Sequence, residues 1–588
     1  MKFCYKCGFK LSGNEKFCPG CGEKFQVPAA PVQQPAPESV RQQPVQQPAP
    51  VQEPQQAEEE ISKARKSRKC SRHGIIFTDL NVLSQMLGTE AGSVSKLLGQ
   101  YCDLMAEDDI DYRVVDASDY KFVSKAAGKR GQKSQIHAES PWWDYQHILY
   151  DNLCYEKEKG LPESNYLFII GGHEVIPVPV INHYIDSPRL HYKDIETDVL
   201  YGYPYGPHTQ YALESTEIYQ QEMYYLVGRL PVPEGVGIGY LTNYLQNAVN
   251  VRGGLPVRKI YAQCDPHWKE LTAWLMSPFN KLGMLPDRSN ISRHYSYGNV
   301  MLGPDVTSKY IHAVMEKDTD FIFLNLHGAW KPDAPAYYGE AMDGSVVEEI
   351  FPIEATAIPE GCNVLVTEAC YGGRFIGYKM FESMMQTALG QKTVIGLASS
   401  RTAFGYDGPP GANADIMCGR FALYLLSGYC AADAMNKARA DFFGEDGMLS
   451  PHDATTICEF NLYGDPSLRA YAVAEDDSKA VMPVIKTIAP KDFPLGYEQQ
   501  TIKSAGQPQS LLEQVRGAVD ANIMHISKTI GKELYEKYGL SPREPETIKR
   551  LKYKNGKQRL VYTYGEGEKM WVVTARPEGE IESILTSK

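Results

Sequence analysis

Short apolar runs recur along the chain from residue 74 onward, each bounded by glycine or charge. They fall at 74–78, 112–115, 166–171 and 224–227, and again at 259–262, 321–326, 363–368 and 393–397. Runs of this length, rich in β-branched and aromatic residues, predict strands buried on both faces. Helical patterns lie between or after them, at 82–105, 238–251, 265–282, 305–317, 374–389 and 411–428. Strands alternating with helices indicate βαβ units and a mostly parallel sheet, an α/β fold. The two successive sets predict two stacked α/β subdomains, 74–252 and 253–475. Residues 476–588 read differently. A helix near 509–538 precedes strands at 558–563 and 570–574 around a Gly-Glu-Gly turn, which makes a small α+β module. No chemistry is legible in it.

The first 73 residues lack this pattern. Residues 26–60 repeat Pro, Gln, Ala, Val and Glu, a composition that cannot bury enough apolar surface to order itself. With the basic residues Lys63, Arg65, Lys66, Arg68, Lys69 and Arg72 they form a linker, 26–73. Residues 1–25 carry Cys4-x2-Cys7 and, ten residues on, Cys18-x2-Cys21. Two such pairs supply a tetrahedral thiolate set for a structural zinc, with no position left open for catalysis. A segment this small needs such a staple to fold. It resembles bacterial zinc-ribbon modules, which implies an interaction role with a protein partner that the sequence does not name.

Two of the predicted strands end in residues with chemistry. Phe321-Ile322-Phe323-Leu324-Asn325-Leu326 runs into His327-Gly328, and Val364-Leu365-Val366-Thr367-Glu368-Ala369 runs into Cys370-Tyr371-Gly372-Gly373. Ligands of open parallel sheets bind beyond the carboxyl ends of the strands. A His and a Cys at two such ends are expected to face each other across one cleft, the geometry a cysteine nucleophile needs from its base, which implies acyl transfer, peptide-bond hydrolysis through a thioester. Glycines at 372 and 373 permit close approach, and a helix starting near 374 would lower the thiol pKa. The backbone N–H groups of Gly328 and Cys370 are candidates for an oxyanion hole.

These blocks, one ending in His-Gly and one in Glu-Ala-Cys, resemble the caspase-like clan of cysteine peptidases and, within it, the gingipain family. Tyr166 to Pro177, the Thr197-Asp198-Val199-Leu200-Tyr201-Gly202 block, Val227-Gly228-Arg229-Leu230-Pro231 and Asn461-Leu462-Tyr463-Gly464-Asp465-Pro466-Ser467-Leu468 extend the likeness over about 75–472. The resemblance implies a caspase-like sheet, Cys370 as nucleophile, His327 as general acid/base, and an endopeptidase acting through a thioester. It also implies that Asp198 holds a basic P1 side chain in the S1 pocket, because a carboxylate can accept two parallel hydrogen bonds from a guanidinium. A turn-capping role for Asp198 stays open, as does Arg against Lys. Glu368 is a second S1 candidate or a buried acid. Asp186, Asp194 and Glu196 are candidates for orienting His327. Calcium, which some members need, is left open.

A peptidase with this preference would find a target in its own basic linker. The expected substrates are proteins or peptides with exposed Arg or Lys. The alternative is a scaffold that uses the same fold and the ribbon for binding only. Net charge is −12, and the lysines of the ribbon form no arginine stripe, so nothing favours nucleic acid. Met1 to Cys7 shows no signal-peptide pattern, and no apolar run reaches about 18 residues, so no membrane span is expected. Thirteen cysteines, four of them metal-like, point to a reducing compartment, the cytoplasm.

Overall fold

The computed structural model describes residues 70–118, 140–204, 223–303, 319–330, 335–340, 346–350, 362–474 and 545–587, with short gaps inside these ranges, and also 2–3, 10–11, 530 and 532. The chain divides into two units, residues 1–64 and 65–588. In the first, Lys2–Phe3 and Lys10–Leu11 pair antiparallel. Cys4 and Cys7 fall between these strands in sequence. All four ribbon cysteines, Cys4, Cys7, Cys18 and Cys21, lie outside the described residues, as does the segment 26–60.

The second unit is built on one eleven-stranded sheet. Its strands, numbered along the chain, are β1 Arg72–Thr78, β2 Ile110–Asp116, β3 Tyr166–Ile170, β4 Leu226–Leu230, β5 Ile260–Cys264, β6 Ser296–Tyr297, β7 Val300–Leu302, β8 Phe321–Asn325, β9 Val364–Thr367, β10 Ile395–Ser399 and β11 Phe460–Gly464. Their spatial order is β6-β7-β5-β8-β9-β10-β11-β4-β3-β1-β2. β5, β7, β8, β9 and β10 pair in parallel, as do β1 to β4, whereas β11 is antiparallel to β10. The fold is therefore α/β with a mostly parallel sheet. The central strands are buried on both faces, as continuous apolar runs require.

The two strand sets are not stacked subdomains. They lie edge to edge in the same sheet, because β11 enters between β10 and β4, meeting β4 at Tyr463 and Arg229. The turn after β11 fastens the two sets. Asp465 accepts from the hydroxyls of Tyr101 and Tyr112 on the first set and from the Ser467 amide and hydroxyl, each at 2.7 Å. Its own amide donates to Tyr244 at 2.6 Å. Four acceptor contacts keep this buried carboxylate satisfied.

Helices cover the sheet faces through regular apolar stripes. Ala91–Met105 buries Val94, Leu98, Tyr101, Cys102 and Met105, spaced for one helical face. The helix expected over 82–105 is split into Leu80–Met86 and Ala91–Met105, with Gly88 at φ +63° between them. That over 265–282 breaks into Lys269–Leu275 and Ser277–Lys281, with Pro278 in the second helix's first turn. The helix expected over 305–317 lies outside the described residues. Arg72, assigned to the linker, sits inside β1. Its guanidinium is buried and bonds the Ser467 carbonyl at 3.0 Å and the Asp108 carboxylate at 3.1 Å.

The carboxy-terminal region holds more than a hairpin. Thr547–Lys552, Gln558–Glu566, Lys569–Ala575 and Ile581–Ser587 form an antiparallel meander. Its last strand also pairs with Phe404–Gly405 of the α/β unit. Of the helix expected at 509–538, Ile530 and Lys532 are described, both helical.

Candidate active site

Parallel pairing brings the two strand ends into register. Leu324 on β8 lies opposite Thr367 on β9, and the Glu368 amide extends the ladder to the Leu324 carbonyl at 2.9 Å. His327 and Cys370 each follow three residues after this matched pair. Neighbouring parallel strands run about 4.8 Å apart, so the two residues leave the sheet side by side. The two backbones touch, Gly328 lying in a short strand, His327–Trp330, that pairs antiparallel with Pro335–Glu340, and Cys370 in a turn. A β-carbon on Gly328 would fall 2.8 Å from both the amide nitrogen and the carbonyl carbon of Cys370. Glycine after His327 is thus required by the close approach of the Cys370 backbone. Gly328→Ala is expected to push the strand His327–Trp330 away from the Cys370 turn. A misplacement approaching 1 Å costs about 10²-fold in rate, to be read as kcat against an unfolding curve.

Each side chain is held from behind. Cys370 is 3% exposed. Its Sγ accepts from the Ala403 amide at 3.2 Å and donates to the Ala403 carbonyl at 3.6 Å. His327 is 4% exposed, and its ring lies against Trp268, with centroids 4.5 Å apart at 55°. Trp268 follows β5, the strand on the other side of β8. Sequence reading missed it, although the same carboxyl-end rule that found His327 applies to the segment Asp265-Pro266-His267-Trp268.

The residue after the thiol is unusual. Tyr371 takes φ +59°, a left-handed conformation rare for a side chain of this size. The surroundings hold it there. Its amide donates to the Arg401 carbonyl at 2.9 Å and its hydroxyl bonds Thr402 at 2.8 Å. Burial, and then the Cys370 thiol beside it, push the Tyr371 hydroxyl well up, so it stays protonated. Strain of this kind costs on the order of 1–3 kcal/mol and persists where the neighbours over-determine it.

The glycines at 372 and 373 serve packing. A β-carbon at Gly373 would meet the Tyr463 hydroxyl at 2.6 Å, and that hydroxyl already donates to the Gly373 carbonyl at 2.6 Å. No helix begins at 374. Successive turns run to Ser383, which caps the helix Met384–Gln391 through the Gln386 amide. The expected dipole at the thiol is therefore missing, because the true cap lies thirteen residues after Cys370.

The predicted acidic residues separate into two groups. Asp198 is not an open carboxylate. Its oxygens receive the Arg229 Nε and Nη2 groups at 2.7 Å each, and Arg229 is fully buried. Arg229 also donates to the carbonyls of Gly171 and Ile176 at 2.9 Å. Both carboxylate oxygens, which would grip a substrate guanidinium side by side, are thus engaged within the chain. Glu368 is completely buried, so it too presents no carboxylate to solvent. Asp194 and Glu196 both pair with Arg401, at 3.0 and 2.8 Å. Burial raises the Glu196 pKa while Arg401 opposes the rise. Arg401 and Arg374 both stack on Tyr192, at 4.5 and 4.1 Å from its centroid. Asp186 lies outside the described residues. Among the described residues no cluster of three or more His, Cys, Asp or Glu side chains is arranged to hold a metal ion, and no helix is long and apolar enough to cross a membrane.

No protein-family model matches the chain, and no curated protein matches it. Among solved structures, the chain is similar to one named "Structure of Protease", with a TM-score of 0.39 and 10% identity over 88% of this chain and 97% of that chain.

Proposed function

We propose that the chain is a cysteine endopeptidase in which Cys370 attacks the scissile carbonyl and His327 moves the protons. The observation that carries this reading is the matched register of β8 and β9, with Gly328 seated against the Cys370 backbone. In the reaction, the His327 imidazole takes the thiol proton as sulfur bonds to the carbonyl carbon. It then gives that proton to the leaving amine, which departs with its bonding electrons and leaves a thioester. Water, deprotonated by the same imidazole, hydrolyses the thioester and restores the thiol. The Gly328 and Cys370 amides are assigned to the oxyanion. Trp268 is a positioning residue, limiting rotation of the imidazole.

A basic P1 preference belongs to this proposal through the family resemblance, but Asp198 is a poor carrier for it, since Arg229 holds both its oxygens. A positional-scanning peptide library decides P1 directly. Turnover confined to Arg and Lys supports the preference, and turnover after uncharged residues removes it. Residues 1–25 are proposed as a zinc-stapled interaction module held by Cys4, Cys7, Cys18 and Cys21, outside the reaction.

Self-cleavage in the basic linker is narrowed to residues 63–69, because Arg72 is held in β1. On prolonged incubation, wild-type protein is expected to lose the segment preceding this cut while Cys370→Ala stays intact. Identical intact masses would remove self-cleavage from the account.

A further inference from the structure

The carboxy-terminal meander sits on the backbone that holds the thiol. Ala403 makes two hydrogen bonds with Cys370 Sγ, and the next two residues, Phe404 and Gly405, pair antiparallel with Ser587 and Thr586. Extended peptides bind proteins by adding a strand to an open sheet edge. Among the described residues, the main-chain edge that continues directly from the thiol's cradle is therefore already filled by the chain's own last strand.

The meander has two distinct faces. One is its own core: Leu560, Tyr562, Trp571, Val573 and Ile584 pack around Ile530. The other is a docking face. Val561, Met570, Val572 and Leu585 pack on Phe404, together with Ile185 and Leu190 from the loop after β3. Val572 and Leu585 are direct cross-strand partners, so they present one continuous apolar surface. The Thr586 hydroxyl adds a bond to Asp407 at 3.2 Å. The sheet thus joins two loops at the carboxyl edge, those following β3 and β10, beside the nucleophile.

We propose that the Thr547–Ser587 sheet is an intramolecular cap, which excludes peptide substrates from the edge beside Cys370 until it undocks. The proposal rests on the reading of Cys370 as the nucleophile. The two-faced construction lets the sheet leave without losing its own core.

The test uses the full chain and two substitutions on the docking face, Leu585→Arg and the milder Leu585→Ala. Labelling of Cys370 by fluorescein-maleimide is mapped by peptide mass spectrometry, and hydrolysis of a peptide library is followed in parallel. Amide exchange at Phe404 and Gly405 reports undocking, and exchange at Tyr562 and Val573 reports the meander's own core. The expected result is labelling at least tenfold faster in Leu585→Arg, with a smaller rise in Leu585→Ala. Phe404 and Gly405 lose protection while Tyr562 and Val573 keep it, and peptide turnover rises in the same order. Equal labelling of wild type and both variants, once Phe404 and Gly405 exchange freely, overturns the cap. Faster labelling without any peptide turnover keeps the cap and overturns the peptidase reading. Should Leu585→Arg unfold the sheet, Leu585→Ala alone decides by the same comparison.

Discussion

Replacing Cys370 with alanine is expected to abolish peptide hydrolysis, a loss of roughly 10⁴- to 10⁶-fold in kcat, and His327→Ala to cost about as much. On the proposed mechanism the two residues act as one device, so the double variant should be no slower than either single one. Register supports this expectation. The Leu324–Thr367 pairing carries both segments out of the sheet at the same level, and Gly328 lets their backbones touch. The measurement is steady-state hydrolysis of the library's best peptide, with circular dichroism verifying that each variant is folded. Additive losses in the double variant would mean that the histidine serves some other step.

The second large effect concerns stability. Asp198→Ala leaves the Arg229 guanidinium buried beside no counter-charge, and breaking such a pair costs about 3–5 kcal/mol. Because Arg229 also ties down the Gly171 and Ile176 carbonyls, the loss extends into the loop after β3. Denaturant unfolding of Asp198→Ala should show this loss, and the double variant Asp198→Ala/Arg229→Met should recover part of it by removing the orphaned charge. Wild-type stability combined with a raised KM for basic-P1 peptides alone would instead make Asp198 the specificity acid.

That contrast marks what the residues disclosed and what they hid. Strands β8 and β9 were legible because six-residue apolar runs between polar boundaries have few other readings. Their terminal His-Gly and Cys-Tyr-Gly-Gly followed from the rule that sites gather at strand carboxyl ends. β7, three residues long, is too short for periodicity to register. β11, Phe460-Asn461-Leu462-Tyr463-Gly464, holds no continuous apolar run, so its entry between β10 and β4 is not legible in the sequence, and the two strand sets predict two subdomains. The helix expected over 374–389 begins only at Met384, because the Gly372-Gly373 turn and the Ser383 cap outweigh the apolar spacing before them.

Side-chain roles were less legible than elements. Asp198 and Arg229 stood in two noted blocks, yet their pairing spans 31 residues and is set by the fold. Tyr371, Trp268 (which packs on His327) and Ala403 (which bonds Cys370) carry no local signature. The carboxy-terminal strands Thr547–Lys552 and Ile581–Ser587 went unread because their alternation is interrupted by charge. Without the second of them, the contact with Phe404 and Gly405 could not be anticipated.

Covalent capture of the nucleophile tests the account most directly. Leu585→Arg protein is treated with a peptidyl acyloxymethyl ketone carrying the library's preferred P1 residue, and the adduct is located by mass spectrometry. The account predicts one stoichiometric thioether at Cys370, absent when His327→Ala is added. No adduct at Cys370 in folded, uncapped protein, or an equal adduct without His327, would contradict it.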